Sequence, residues 1–462
     1  MARVLLIMPR LPQRLGAPYL GQQAIAAALL ARGHEVRCLD LAASRLELDD
    51  RGAVAFAEAF APDVMGLTLF TNNAARGYAL ARQLRPVARW IVAGGPHPTV
   101  CPGEPLAHGI DVSVAGEGEL VLPAIVDGLM SGRPLPSLPG VSTRDDAGTC
   151  AEAIADLDGL AWPLHAYGCY DPSWYSADGR TVVPGGLCTS RGCPARCTFC
   201  ANYVTGRAYR FRSAASVVAE MRALHDQYGV MHFPFWDDAF TALRPRQNAL
   251  CDAILAEPSL KNATWTCITP GNMVKPFDLE RMRKAGCVAV NFGIESGDLD
   301  ILRVIQKGQR PEHVRAAVQA AKQAGMTTVV NIMFGFPEEG PDSLQRTMDL
   351  MADLAPWVDY YNNRGVLVPF PGTTIYDRWH AHYGFTGWWL DVARVPEEPN
   401  PFTQPQDEVQ RLLEIDPTLD QDFFRYSDAV RDLIAAGVRW KARHNQATIA
   451  RMIASYTSPA PP

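Results

Sequence analysis

Short apolar runs alternate with helical patterns over the first 131 residues. Five runs are rich in β-branched residues and end beside glycine or polar residues, which is typical of buried strands. The first helical pattern, Leu20–Ala31, is rich in alanine and leucine and stops at Gly33. Apolar strands that alternate with helices predict a doubly wound, Rossmann-like α/β domain whose parallel sheet is covered on both faces. The predicted strands are Val4–Met8, Val36–Asp40, Val64–Leu69, Trp90–Ala93 and Val112–Ala115.

The stretch from Thr181 to about Ile375 repeats this alternation with a longer period. About six strand–helix units predict a partial (β/α)6 barrel of the TIM type, although a full barrel stays open. The expected organisation is therefore a sheet domain over residues 1–131, a linker rich in proline and glycine over 132–180, a barrel over 181–375 and a mainly helical segment over 376–462. The predicted barrel strands are His232–Trp236, Thr264–Ile268, Val288–Phe292, Thr328–Met333 and Tyr361–Val368.

Composition and charge narrow the class of protein. The chain has 462 residues, of which 48% are hydrophobic and 20% charged, so it can bury large cores. Its formal net charge of −6 and the absence of a basic stripe argue against a nucleic-acid partner. No apolar run approaches the roughly 20 residues that span a bilayer, and the first residues lack the features of a signal peptide. We expect a cytoplasmic protein, where clustered cysteines indicate metal or redox chemistry.

Three of the 11 cysteines are clustered. Cys193, Cys197 and Cys200 follow a C-x3-C-x2-C pattern, so their thiolates can surround one iron–sulfur cluster from a single loop. Clusters normally take four cysteine ligands, and three would leave one iron open to chelate a substrate or cofactor. Two alternatives are a structural zinc site with Cys188 as fourth ligand, and thiols without a function.

This motif, with Phe199 inside it, resembles the signature of the radical S-adenosylmethionine (SAM) superfamily. Further segments between Thr181 and Thr374 share the resemblance. It implies a [4Fe-4S] cluster on the three cysteines and a SAM site beside it. Asp237 and Asp238 would bind the SAM ammonium group or merely end a strand, and Glu295 would bind the ribose hydroxyls or form an ion pair. The segments quoted for the resemblance are Phe233–Phe240, Asn291–Gly297 with Glu295 and Ser296, Asn331–Pro337 with Met333, which would contact adenine, and Pro369–Thr373.

The domain before the barrel resembles the cobalamin-binding domain of B12-type radical SAM enzymes. The resemblance lies in the loops Gly94–Thr99 and Gly116–Glu119. It implies cobalamin, with Gly94, Gly95, Gly116 and Glu117 close to a flat macrocycle and Thr68 and Thr71 bonded to its amides. His97 would be a cofactor contact or a hydrogen-bonding loop residue. Two departures are the lack of a D-x-H-x-x-G motif and the presence of Gln22 and Gln23, which could intrude on the cofactor space.

The resemblance implies a choice of activities. In the first, a 5′-deoxyadenosyl radical activates an unactivated carbon of a small natural product, and methylcobalamin delivers a methyl group to it. In the second, the radical triggers the dehydration of an amino-sugar diol without cobalamin, as in aminoglycoside biosynthesis. Tyr203 or Tyr209 could then return a proton and an electron, or pack as core residues. The third is a non-catalytic iron–sulfur or zinc module.

The expected partners are a small-molecule substrate and a flavodoxin- or ferredoxin-type electron donor, with no nucleic acid and no membrane. We expect residues 376–462 to close the barrel mouth and determine specificity. Four tryptophans there could stack on a substrate or pack in the core, namely Trp379, Trp388, Trp389 and Trp440.

Overall fold

The structure is a computed structural model that describes residues 1–132, 137–149, 151–362, 365–395 and 422–457. The chain divides into two compact units. Within the described residues, no helix combines the length and apolar character needed to cross a membrane. The first unit comprises Met1–Gly185, Asn202–Gly206 and Gly387–Glu398, and the second comprises Gly186–Ala201, Arg207–Thr386 and Pro399–Pro462.

The first unit is a six-stranded sheet between helices. Its strand order is β2-β1-β3-β4-β5-β6, parallel except for β6. The order changes direction between β1 and β3, which makes their carboxyl ends the expected ligand edge. The strands are β1 Arg3–Met8, β2 Glu35–Asp40, β3 Val64–Thr68, β4 Trp90–Gly94, β5 Val112–Val114 and β6 Val141–Thr143; the helices are α1 Leu20–Ala31, α2 Asp50–Phe60, α3 Ala74–Leu84, α4 Pro96–Val100, α5 Gly103–Ala107 and α6 Val121–Ser131.

The predicted doubly wound sheet is confirmed, and its apolar runs form the core. Val4 and Leu6 of β1 are buried against Val64 and Val92 of the neighbouring strands. The stretch 132–180, expected as a linker, instead contributes to this unit. Residues 141–143 form β6, and Ala166, Tyr170 and Tyr175 lie in the same core. Proline and glycine mark irregular backbone there, but they do not prevent its side chains from packing.

The second unit contains a five-stranded parallel sheet in the order β13-β12-β11-β10-β9. A bridge between Leu187 and Phe235 extends the sheet beyond β9, so the described residues form a partial barrel. The strands are β7 Ser190–Arg191, β8 Arg210–Phe211, β9 His232–Pro234, β10 Thr264–Pro270, β11 Cys287–Glu295, β12 Thr327–Ile332 and β13 Tyr360–Asn362; the helices are α7 Ala214–Tyr228, α8 Arg244–Ala256, α9 Pro276–Lys284, α10 Leu299–Val304, α11 Pro311–Gln323, α12 Pro341–Leu354, α13 Thr374–Tyr383 and α14 Asp428–Thr457.

Polar side chains of α14 bind the backbone of the last barrel strand. Asn445 accepts a hydrogen bond from the Tyr361 amide (2.8 Å) and donates one to the Tyr361 carbonyl (2.7 Å). His444 lies 2.8 Å from the Val358 carbonyl, and Thr448 donates to the Asp359 carbonyl (2.9 Å). These residues recur every three to four positions, so one face of the helix completes the hydrogen bonding of β13.

Candidate active site

The three cysteines of the motif lie on the loop that follows β7. Cys193 and Cys197 are partly buried, and Cys200 is exposed. The Cys200 amide donates to the Cys197 carbonyl (3.3 Å), which closes a tight turn within the motif. One loop therefore presents three thiols of different exposure, as a cluster ligated from one side requires.

The three thiols of the motif do not form a group whose ligand atoms all lie within 4.8 Å of one another in the described part of the chain. Among the described residues, His97, Cys101 and Glu104 are the one set with three ligand atoms within 4.8 Å of one another. Tetrahedral zinc at about 2.3 Å from each sulfur would hold its thiolates about 3.8 Å apart. The thiol of Cys188, the fourth ligand of the zinc alternative, donates to the Ser190 carbonyl (3.2 Å). The donor set thus favours a multi-iron cluster over zinc.

Two aspartates after β9 hold the segment that precedes the cysteines. The buried carboxylate of Asp237 accepts hydrogen bonds from the Thr189 amide (2.7 Å) and the Ser190 hydroxyl (2.6 Å). Arg246 lies 3.5 Å from the same carboxylate. Asp237 therefore anchors the cysteine segment, which fits its strand-end alternative, and its contact with the SAM ammonium group stays a prediction. Asp238 accepts from the Gly192 amide (2.9 Å) but is exposed.

Glu295 ends β11 in an unusual backbone conformation. Its φ is +72°, in the left-handed region that residues with side chains seldom adopt. Its carboxylate lies 2.8 Å from the Lys307 ammonium, and both side chains are buried. Burial lowers the pKa of Lys307, but the carboxylate of Glu295 and the nearby Cys197 and Cys200 together raise that pKa above its ordinary value. Glu295 therefore forms the ion pair that was one of its two expected roles. The other expected role, a contact with the SAM ribose, would lie at the same carboxyl end of β11.

Other residues predicted for the SAM site surround this pair. The Lys307 ammonium lies 5.8 Å from the centre of the Phe199 ring, and Phe199 lies 5.7 Å from Phe336. The Met333 amide donates to the Glu295 carbonyl (2.8 Å). The buried hydroxyl of Ser296 instead lies 3.1 Å from that of Thr347 and caps the amide of Asp298. The structure thus brings Phe199, Glu295 and Met333 together and directs Ser296 away from them.

The two candidate tyrosines fall in different units. Tyr203 lies in the short segment Asn202–Gly206 of the first unit. Tyr209 belongs to the second unit, where its hydroxyl donates to the Phe240 carbonyl (3.4 Å). Burial raises the pKa of Tyr209. A tyrosine whose hydroxyl bonds to the backbone fits the core alternative as well as the redox one.

At the carboxyl edge of the first unit, Thr68 and Gly94 are register partners at the ends of β3 and β4. The two glycines beyond them have backbone conformations that favour glycine. Gly95 has φ +111°, and a Cβ there would lie 2.9 Å from the Leu69 carbonyl. Gly116 has φ +77°, and its Cβ would lie 2.6 Å from that of Ala151. The chain itself therefore favours glycine at both positions, and their approach to a macrocycle stays a prediction.

His97 is enclosed in a hydrogen-bond network below this edge. It is fully buried, with one ring nitrogen 3.3 Å from the Thr71 hydroxyl and the other 2.9 Å from the Glu104 carboxylate. Tyr78 (3.0 Å) and Trp389 (3.0 Å) also donate to Glu104. His97 therefore forms hydrogen bonds within the chain from the short helix α4, with Thr71 bonded to it, and a cofactor contact of either residue stays a prediction.

Burial alone would raise the pKa of Glu104, but the hydrogen bonds from His97, Trp389 and Tyr78 hold that pKa below its ordinary value. Cys101 completes the set of three ligand atoms within 4.8 Å, yet burial raises the pKa of its thiol to about 12. Glu117 is also directed inward, because its carboxylate accepts from the Ile154 amide (2.6 Å). These contacts serve the fold of the first unit, and the cofactor role expected of Glu117 stays a prediction.

Several residues of these networks carried no signal in the sequence. Lys307 lies 12 positions after Glu295 in no motif, and Arg246 lies in the first turn of α8. Glu104 and Trp389 are 285 positions apart. Their partners are set by the fold, so spacing along the chain could not identify them.

Comparison with known proteins assigns the family. A model of the radical SAM superfamily matches residues 187–351, and a model of the B12 binding domain matches residues 16–126. The uncharacterized methyltransferase PH0819 of Pyrococcus horikoshii is 30% identical over 372 residues, which cover 79% of this chain and 77% of that protein. The chain belongs to the radical SAM superfamily. Within that superfamily it carries a B12-binding domain, as its loops had suggested, and it is an enzyme of this class.

A second relative of this radical SAM enzyme is cytidylyl-2-hydroxyethylphosphonate methyltransferase of Streptomyces wedmorensis. It is 27% identical over 387 residues, which cover 71% of this chain and 70% of that protein. Among solved structures, TsrM from Kitasatospora setae, with cobalamin and a [4Fe-4S] cluster bound, gives a TM-score of 0.66 at 21% identity and covers 83% of this chain and 75% of its own. OxsB with aqua-cobalamin and S-adenosylmethionine gives 0.69 at 14% identity and covers 99% and 81%. These two likenesses show the fold.

Membership in the radical SAM superfamily implies a [4Fe-4S] cluster and SAM, and the B12-binding match implies cobalamin. The donor set fits the cluster, because three thiols share one loop. The carboxyl edge of the first sheet fits a polar ligand. The buried amide of Gln23, near the start of α1, has no hydrogen-bond partner in the described part of the chain for either polar atom.

Proposed function

We propose that this radical SAM enzyme is a cobalamin-dependent methyltransferase that adds a methyl group to an unactivated carbon of a small natural product. The observation that carries the proposal is the match of 372 residues to a methyltransferase. Neither unit alone contains that many residues, so the match includes part of both the sheet unit and the barrel unit. Methyl transfer accounts for the presence of both.

When bound, the cluster and SAM supply the 5′-deoxyadenosyl radical that removes a hydrogen atom, and cobalamin supplies the methyl group. The protein holds these groups and excludes water. Cys193, Cys197 and Cys200 are the proposed cluster ligands. Asp238 is the proposed partner of the SAM ammonium group, because its side chain is exposed whereas that of Asp237 is buried against Thr189 and Ser190.

Glu295 is the proposed partner of the SAM ribose. A carboxylate accepts hydrogen bonds from two hydroxyl groups, and Lys307 fixes its position from one side. The Met333 amide is bonded to the Glu295 carbonyl, which supports an adenine contact by the segment that follows β12. The left-handed backbone of Glu295 supports a positioning role, because such strain is concentrated at binding sites.

Thr68 and Gly94 are the proposed cobalamin contacts of the sheet edge, as neighbours at the ends of two parallel strands. His97 acts indirectly, since its bonds to Thr71 and Glu104 fix the loop after β4. We further propose that a flavodoxin- or ferredoxin-type protein donates the electron and that residues 376–462 determine specificity. Part of that segment, 396–421 and 458–462, lies outside the described residues.

The methyl route can be tested before the substrate is known. Anaerobically reconstituted enzyme is incubated with hydroxocobalamin, a titanium(III) reductant and SAM with a deuterated methyl group. We expect the labelled methyl group on cobalamin and one S-adenosylhomocysteine for each label. Label that stays on SAM throughout would contradict methyl transfer. With a candidate substrate, a gain of one methylene supports the proposal, whereas loss of one water from a diol supports the dehydration alternative.

The cluster is tested with the variant Cys193→Ala/Cys197→Ala/Cys200→Ala. We expect it to lose bound iron and all 5′-deoxyadenosine formation while it retains hydroxocobalamin. Cys188→Ala is the matched control, because Cys188 bonds to Ser190 and should leave the iron content unchanged. Iron retained by the triple variant would contradict the assignment.

A further inference from the structure

Two adjacent glutamines near the start of α1 have different surroundings. Gln22 is 2% exposed and accepts a hydrogen bond from the Tyr170 hydroxyl (3.0 Å). Gln23 is 0% exposed, and neither its side-chain oxygen nor its side-chain nitrogen has a hydrogen-bond partner among the described residues. Gln22 therefore keeps one bond within the protein although its side-chain nitrogen has no partner among the described residues, whereas both polar atoms of Gln23 are without one.

An unbonded buried amide is costly to the folded protein. A buried donor or acceptor without a partner costs about 1–3 kcal/mol, and most buried polar groups in proteins are therefore paired. Methionine, which has a similar volume, would fill the same space without this cost. The energetics of the fold alone do not account for Gln23, so its amide calls for a partner outside the chain.

The position of Gln23 identifies the edge that such a partner would occupy. Helix α1 follows β1, and the strand order changes direction between β1 and β3. Sheets of this order bind ligands at the carboxyl ends of those two strands. The backbone beside the amide belongs to Gly185, where a Cβ would lie only 2.5 Å from the Gln23 oxygen. The lack of a side chain at Gly185 leaves room for the amide at this edge.

We propose that the side-chain amide of Gln23 binds the rim of the corrin ring of cobalamin. The rim carries primary amides, and two amides pair through one donor and one acceptor each, which matches the two unbonded atoms of Gln23. The inference rests on the proposed cobalamin dependence and adds a named contact to it. The sequence had suggested that Gln22 and Gln23 could intrude on the space of the cofactor. In this proposal Gln22 is instead bonded to Tyr170, and Gln23 binds the cofactor.

The test compares Gln23→Met with Gln22→Met as a matched control. Hydroxocobalamin affinity is measured by the visible spectrum of the protein fraction during titration, and the Tm of the cobalamin-free protein is measured in parallel. We expect Gln23→Met to weaken binding about tenfold, as the loss of one or two hydrogen bonds implies, with a Tm at or above that of the wild type. Gln22→Met should instead lower the Tm, because Tyr170 loses its acceptor, and bind cobalamin within about twofold of the wild type.

A third measurement separates the ring from the nucleotide tail of the cofactor. Dicyanocobinamide keeps the rim amides but lacks the nucleotide, so Gln23→Met should lose the same factor with it. A loss that disappears with cobinamide would overturn the rim assignment. Equal hydroxocobalamin affinity for Gln23→Met and wild type, or a larger fall in Tm than Gln22→Met shows, would overturn the inference while cobalamin dependence stands. A wild-type protein that binds no hydroxocobalamin would overturn both.

Discussion

Glu104 in the sheet unit and Glu295 in the barrel unit are carboxylates that the two units stabilise in different ways. Glu104 accepts hydrogen bonds from Tyr78 and Trp389 and lies beside His97, so several neighbouring groups stabilise its negative charge. Glu295 is paired with the ammonium group of Lys307. Loss of one donor leaves Glu104 with others, whereas loss of Lys307 leaves a buried charge without its cation. Glu295 therefore depends on a single charge pair, whereas Glu104 depends on a shared network.

The largest effect is expected from Lys307→Met. Breaking a buried ion pair by removal of one partner costs about 3–5 kcal/mol, so the free energy of unfolding of the barrel unit should fall by that amount. Glu295→Gln/Lys307→Met should recover much of the loss, because no buried charge remains. Urea denaturation followed by circular dichroism measures both. Lys284→Met, an exposed lysine at the end of α9, is the control and should change stability by less than about 0.5 kcal/mol.

The contrast between the units would fail if Lys307→Met cost no more than its exposed control. It would also fail if the double variant were less stable than Lys307→Met, because the ion pair would then not be the source of the cost.

An intermediate effect is expected at Lys441 on α14, which sharpens the contrast within the barrel unit. This lysine is buried, and its ammonium group lies 3.3 Å from the Ile332 carbonyl. Burial lowers its pKa from 10.5 to about 7, although Glu295 acts in the opposite direction. The unfolded chain therefore binds this proton more tightly than the folded one, so stability should rise with pH between about 7 and 10.5.

Lys441→Met should consequently be more stable than the wild type at pH 6.5, by roughly 1–3 kcal/mol, and the difference should shrink or reverse by pH 9.5. The pH dependence of urea denaturation measures this change. Parallel pH profiles for the two proteins would show that Lys441 titrates normally.

The smallest effect is expected from Trp389→Phe in the sheet unit. The variant removes one of several donors to Glu104, so a loss of about 1–2 kcal/mol is expected. The Tm of the cobalamin-free protein measures it, with exposed Trp236→Phe as the control. A loss as large as that of Lys307→Met would remove the distinction between a shared network and a single pair.

Periodicity predicted the first sheet well, because its strands β1, β3 and β4 are nearly continuous apolar runs. The strands predicted from Val4, Val36, Val64, Trp90 and Val112 lie within about two residues of the observed ones. The cysteine spacing was equally informative, since the three thiols proposed as ligands of one cluster lie on one loop. Strand periodicity and cysteine spacing can be read from the sequence because the residues concerned are close together both in the chain and in space.

The roles of polar residues were harder to predict because they depend on distant partners. Asp237 and Asp238 are adjacent in the sequence, yet Asp237 is buried and hydrogen-bonded to Thr189 and Ser190, whereas Asp238 is exposed. Gln22 and Gln23 differ only because Tyr170, 148 positions from Gln22, reaches one of them. Gly95 and Gly116 were expected to lie close to a macrocycle, and the structure adds that contacts within the chain also favour glycine at both positions.

The helix α14 limits how this enzyme can be shortened. Asn445 forms hydrogen bonds with both the amide and the carbonyl of Tyr361. Without Asn445, these backbone groups of the outer strand would lose those hydrogen bonds. An open strand of this kind is a template for pairing with another chain. A truncation that ends before Asp428 would therefore favour aggregation during heterologous expression, however complete its cofactor sites, and a barrel fragment prepared for crystallisation should retain this helix.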